Sequence, residues 1–133
     1  AGSYTNADIT VDAQGRVTAA SDGSNLGITT NLSGSFTASA GSPEIINQYS
    51  YSSTDLMFEY TVFVKNGSNY QSQKLLAMRD GTSVTSTQYG IMYSSDLLVQ
   101  LDATISGGNV NLRVTPELGV TGTTTYRIKR EVT

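Results

Sequence analysis

From residue 44 onward, apolar and polar side chains alternate with a period of two, the repeat of a strand that is wet on one face. Leu56, Phe58, Tyr60, Val62 and Val64 share one parity, and Glu59, Thr61 and Lys65 take the other. Met57 and Phe63 break the rule, as large apolar residues at polar positions. Residues 97–105 place Leu97, Val99, Leu101, Ala103 and Ile105 on one side and Gln100, Asp102 and Thr104 on the other. Val110, Leu112 and Val114 repeat the pattern, as do Tyr126, Ile128 and Val132 within residues 124–132. Less regular runs lie at 44–52, 70–79 and 84–93. Turn signals separate the runs: Asn66–Asn69 (NGSN), Arg79–Thr82 (RDGT) and Ser106–Asn109 (SGGN). Seven strands joined by short turns predict an antiparallel sandwich, and no segment carries a helical period.

The N-terminal part reads differently. ITVDAQGRVTAA (Ile9–Ala20) lies over ITTNLSGSFTAS (Ile28–Ser39) at an offset of 19 residues, with five identities in twelve. Each copy predicts a β-run, a turn opened by Asp12 or Asn31 and closed on Gly15 or Gly34, and a second β-run. A hairpin of this size is marginal alone. The expected fold is therefore all-β: an antiparallel, jelly-roll-like sandwich over 43–133, preceded by a β-hairpin repeat arm over 1–42. The linker is SAGSP (Ser39–Pro43). The apolar groups of the two hairpins, Ile9, Val11, Val17, Ile28, Leu32 and Phe36, form the candidate assembly interface. Three chains around an axis would bury them and pair the open edges. The alternative is an arm that folds back on its own sandwich.

Composition narrows the function. Ser, Thr, Gly, Asn and Gln supply 62 of 133 residues, and charged residues are only 14%. That excludes a coiled coil or charged bundle, while 38% hydrophobic residues suffice for a core. There is no Cys and no His. Disulfides, thiolate nucleophiles, Cys-based zinc sites and every His-dependent triad are therefore absent. Net charge −3 and a pI near 4.7 predict no nucleic-acid partner, and no apolar run is long enough to predict membrane insertion. The charge is uneven: residues 1–63 carry net −5 and residues 64–133 net +2. The chain starts at Ala1, so a longer or processed gene product is expected.

Two stretches carry a resemblance. ITVDAQGRVTAAS (Ile9–Ser21) resembles short stem and shaft repeats in tail-fibre and other virion proteins of tailed bacteriophages. QKLLAMRDGTSVTSTQYGIMYSS (Gln73–Ser95), followed by LDATISGGNVNLRVTPE and TTYRIKR, resembles a β-sandwich domain of marine-phage structural proteins. The matching marks are Asp80–Gly81, Tyr89–Gly90 and Gly108–Asn109–Val110. The resemblance implies a structural, non-catalytic virion component, in a tail fibre, tail tip or capsid decoration, acting in assembly or host attachment. It implies location in the virion, a homo-oligomer with a trimer favoured, other virion proteins as partners, and a host-surface glycan as a further candidate. A carbohydrate-binding or adhesin-type sandwich of a bacterial surface protein is the alternative.

The remaining candidates for chemistry have plain structural readings. Asp80 suits its own turn. Asp96 and Asp102 are too far apart along a strand, at ~20 Å, to form a glycosidase pair. DAQGR and SDGSN lack the ligand run of a calcium loop, so neither metal nor cofactor is expected. Tyr49 and Tyr51 share a face, where packing is weighed above sugar contact. Arg127, Lys129 and Arg130 fit a charged edge strand better than an anion site, because Arg130 has the opposite parity.

Overall fold

The computed structural model describes residues 8–21 and 29–133. Ten strands follow one another with no helix among the described residues: β1 (Asp8–Val11), β2 (Val17–Ser21), β3 (Thr29–Ala38), β4 (Glu44–Ser50), β5 (Met57–Asn66), β6 (Asn69–Asp80), β7 (Ser83–Tyr93), β8 (Val99–Ser106), β9 (Asn109–Pro116) and β10 (Gly122–Val132). The seven strands from residue 44 onward match the seven predicted runs.

Strands β1 and β2 form a two-stranded hairpin. Asp12 staples its turn. One carboxylate oxygen accepts the backbone N–H of Gln14 (3.0 Å) and of Arg16 (2.9 Å), and the other accepts Arg16 Nε (2.7 Å). The Arg16 N–H bond is the main reason the Asp12 carboxyl titrates below its usual value.

The other strands make two antiparallel sheets, one in the order β3-β10-β5-β6-β7 and one in the order β4-β9-β8. Alternation explains how they pack. Phe58, Tyr60, Val62 and Val64 of β5 and Ile128 of β10 point inward from the larger sheet. Val99 and Leu101 of β8 and Val110, Leu112 and Val114 of β9 meet them from the smaller one. Tyr49 of β4 touches Phe58 edge-on at 5.7 Å between ring centroids. The result is an antiparallel sandwich. The first sandwich strand, β3, pairs with the last, β10, and the second, β4, with the next to last, β9. That nesting is the jelly-roll element of the fold, whereas β5-β6-β7 is a hairpin meander. The β8–β9 hairpin turns through Gly107 (φ 56°) and Gly108 (φ 78°), a pair of positive angles that suits a two-residue turn.

The free edge of β8 is closed by side chains rather than by a strand. Gln71 Oε1 accepts the N–H groups of Leu98 (2.7 Å) and Val99 (3.0 Å), while Gln71 Nε2 donates to Val99 O (2.9 Å). Gln88 Oε1 accepts Leu101 N–H (2.8 Å) and the Gln73 amide (2.9 Å). Glutamine amides thus do for β8 what a neighbouring backbone would do, and tie the two sheets together at this side.

Two expectations are corrected. The second repeat copy is not a hairpin: residues 29–38 form one strand, paired with β10 from Thr29–Glu131 to Ala38–Gly122. The repeat positions of Asp12 and Arg16 hold Asn31 and Ser35, so the carboxylate staple is missing. Gly34 runs straight through, opposite Tyr126, whose ring lies over it: a Cβ there would lie 2.5 Å from the Tyr126 hydroxyl, so the ring would have to move. This second copy therefore folds back onto the sandwich. Leu32 and Phe36 pack against the core, and SAGSP is the bend between the sheets, held by Gly41 N–H to Pro116 O at 3.0 Å. The second correction concerns β10, which lies between β3 and β5 and is not an edge strand. Ile28 lies outside the described residues, and Ile9, Val11 and Val17 are exposed on the first hairpin.

Candidate functional site

The outward face of the larger sheet carries the exceptional residue of the alternation. In β5 the outward positions are Met57, Glu59, Thr61, Phe63 and Lys65, so Phe63 faces away from the core. Register places its neighbours. Arg127 of β10 stands beside Phe63, with Ser33 of β3 beyond it and Ser72 of β6 on the far side. The adjacent row reads Ser35, Thr125, Lys65 and Tyr70. Phe63 and Tyr70 stack diagonally, with centroids 5.8 Å apart and planes at 29°. Lys65 Nζ stands 5.7 Å from the Tyr70 ring centroid. Two adjoining depressions, of about 530 and 760 Å³, share Ser33, Phe63 and Arg127 in their walls. Asn31, Thr61 and Thr125 add amide and hydroxyl groups around them.

The electrostatics divide the face. On the other side of the Phe63 row, Lys74 and Lys129 flank Thr61, with Lys129 in the wall of the first depression. Lys74 bonds Glu59 at 3.0 Å, which raises the lysine pKa, and Lys129 lies 3.7 Å from Glu131. These charges compensate each other. Lys65 and Arg127 form no ion pair among the described residues, and their two rows contain no acid. A chain of net charge −3 thus presents two cations with no acid partner among the described residues, beside two stacked aromatic rings. The arrangement can stack a flat apolar surface and hold an anion at its side.

Elsewhere the sequence candidates have structural partners. Tyr49 donates its hydroxyl to Asp55 Oδ2 (2.8 Å) and lies under the Arg130 guanidinium at 4.6 Å. Tyr51 lies under Arg79 at 4.4 Å. Both are packing tyrosines. Tyr60 is buried deeper, and burial pushes its hydroxyl up to about 12. Asp102 pairs bidentately with Arg113, while Asp80 and Asp96 are exposed. DAQGR is the stapled turn described above, and most of SDGSN lies outside the described residues. Arg127 and Lys129 do share a face, opposite Arg130, but it is the middle of a sheet and not its edge.

No known protein family matches the chain, and no curated protein matches it. Among solved structures it is similar to the tailspike protein of Acinetobacter phage vB_ApiP_P1, at 15% identity and a TM-score of 0.57. The match covers 76% of this chain and 22% of that one. This sandwich is a fold that a phage tailspike also contains. At that identity the likeness speaks for the fold and transfers no residue role.

The residues missed as a group are Phe63, Lys65, Tyr70 and Arg127. Their signal was Phe63 itself, a large aromatic at a polar position. Naming its neighbours required the strand order, which alternation does not contain.

Proposed function

We propose that the chain is a structural, non-catalytic part of a bacteriophage virion, tail-associated, acting in assembly or host attachment. The observation that carries this reading is the fold shared with a tailspike over 76% of the chain. The protein works as a homo-oligomer, a trimer, joined through the exposed Ile9, Val11 and Val17 of the β1–β2 hairpin. A two-stranded ribbon cannot bury such groups by itself. Other virion proteins are its partners in the particle.

The open aromatic and cationic face favours a second reading, a carbohydrate-binding or adhesin-type sandwich from a bacterial surface protein. The neighbouring genes separate the two. Tail or capsid genes on either side support the virion reading, and a cell-surface anchoring or secretion system replaces it with the adhesin. Light scattering tests the assembly. A trimeric mass at tens of micromolar is expected, and a monomeric mass would remove the oligomer from the proposal.

A further inference from the structure

The open face of the larger sheet has a chemistry that selects one kind of ligand. Phe63 and Tyr70 offer two stacked rings, with planes at 29°, on a surface exposed enough that Tyr70 keeps 43% of its area in solvent. Beside them stand Lys65 and Arg127, with no acid in their two rows. Around them stand short hydroxyl and amide groups: Ser33, Ser35, Thr61 and Asn31. We propose that this face binds an acidic saccharide, a glycan whose sugars carry carboxylates. The apolar side of a sugar ring lies on Phe63 and Tyr70. Its carboxylate meets the Arg127 guanidinium, whose fork of donors matches two carboxylate oxygens. Lys65 supplies the second positive charge. The serines, threonine and asparagine receive hydroxyl groups, directly or through water.

Charge complementarity supports this occupant. The cations that acids already neutralise, Lys74 and Lys129, lie one row away, so the positive field is centred on the aromatic pair. A nucleic acid strand fits less well, because it needs a long basic track and the chain as a whole is acidic. The inference rests on the attachment role proposed above and gives that role a ligand class. The gene-neighbourhood test reads no sugar binding, so either result can fail while the other stands.

The experiment uses the full chain and calorimetric titration at low salt. The probes are oligogalacturonate, hyaluronan oligomers and oligosialic acid, each beside its carboxyl-reduced form, with an oligo-dT strand alongside. At least one acidic probe should bind at least tenfold more tightly than its reduced form, and should weaken as salt screens the charges. Arg127→Met should cost that ligand about tenfold while leaving the reduced form unchanged. Phe63→Thr and Tyr70→Thr should weaken both forms, with circular dichroism and thermal midpoint showing the fold intact. Three outcomes would overturn the proposal: no probe binds, a reduced form binds as well as its acid, or oligo-dT binds more tightly than every saccharide. Binding that responds to Arg127 but not to either ring would also overturn it, as ion exchange without sugar stacking. The reduced-sugar comparison needs no variant, so a poorly folding mutant does not spoil the test.

Discussion

Two assemblies of aromatic rings and cations sit on opposite faces of the larger sheet, and β10 contributes to both. On the inner side Arg79 lies over Tyr51 and Arg130 over Tyr49. Arg79 is 8% exposed and donates to the carbonyls of Asp55, Gly81, Ser52 and Ser53, at 2.6 to 3.2 Å. Arg130 donates to Asn47 Oδ1 at 2.8 Å and so joins β10 to β4. On the outer side Arg127 and Lys65 stand near Phe63 and Tyr70 without an ion pair among the described residues. The contrast is one of solvation. A buried guanidinium must find acceptors, because stripping water from it costs several kcal/mol. An exposed one keeps its water and needs none. On the inner side Arg79 and Tyr49 are therefore committed to holding the β4–β5 loop and Arg130 to joining β10 to β4, while the outer rings and cations are free to meet something else.

Removing an inner cation should have the largest effect. Arg79→Met keeps most of the apolar stem and deletes the guanidinium, losing four hydrogen bonds and the contact with Tyr51. We expect a loss of about 3 kcal/mol, read as a shift in the denaturant midpoint. A loss under ~1 kcal/mol would mean that water replaces Arg79 easily and that the inner assembly is no more committed than the outer.

Tyr60 tests the same interior by pH. Burial raises its pKa from 10.0 to about 12, the nearby Arg130 opposing and Tyr49 adding to the rise. The unfolded chain gives up this proton near pH 10 while the folded chain holds it. Stability should thus fall as pH rises from 10 to 12, by between about 2 and 3 kcal/mol for two pKa units. Tyr60→Phe should flatten this alkaline decline. The Tyr60 hydroxyl has no hydrogen-bond partner among the described residues, so the substitution should change stability at neutral pH by no more than about 1 kcal/mol. An unchanged alkaline slope would show that some other group controls it.

How much of this was legible in the sequence depends on what alternation encodes. Parity assigns faces, so Phe58, Tyr60, Val62 and Val64 read directly as core, and Phe63 as an anomaly on the wet side. Parity does not encode which strands are neighbours. Arg127 looks like part of a charged edge until the pairing with Phe63 on one side and Ser33 on the other is known. The repeat misleads for a related reason. Gly15 and Gly34 occupy equivalent positions, yet Gly15 has φ 83° inside a stapled turn and Gly34 lies in a strand beneath Tyr126. What separates them is a pair of side chains, Asp12 and Arg16 against Asn31 and Ser35, and a long-range contact with β10 that no local pattern shows.

Gly34 gives a smaller, sharper test of how β10 is seated between the two faces. An alanine Cβ would lie 2.5 Å from the Tyr126 hydroxyl oxygen and 2.7 Å from its Cζ. The ring must then swing away from Gly34, disturbing its tilted contact with Phe36, whose centroid is 6.3 Å away. Because Tyr126 is only half-buried, it has somewhere to go, and Gly34→Ala should cost about 1 kcal/mol rather than prevent folding. A neutral or stabilising result would show that the ring is not held against β3.

Arg127→Met should have the smallest effect on stability, and for that reason it separates the two faces best. The side chain is exposed, has no ion pair among the described residues, and stands on an interior strand whose backbone bonds the substitution leaves in place. Methionine retains an unbranched stem beside Phe63, its register partner, while the charge goes. Surface changes of this kind usually stay within ±0.5 kcal/mol, and the thermal midpoint should move by only a few degrees. Lys74 and Lys129 keep their carboxylate partners in the variant, so no new unpaired charge is created. Paired with Arg79→Met, the measurement compares one substitution at two arginines of the same sheet. A loss above about 1 kcal/mol at Arg127 would assign the outer assembly to the fold, as with the inner one, and take away the reason to regard that face as free for a ligand.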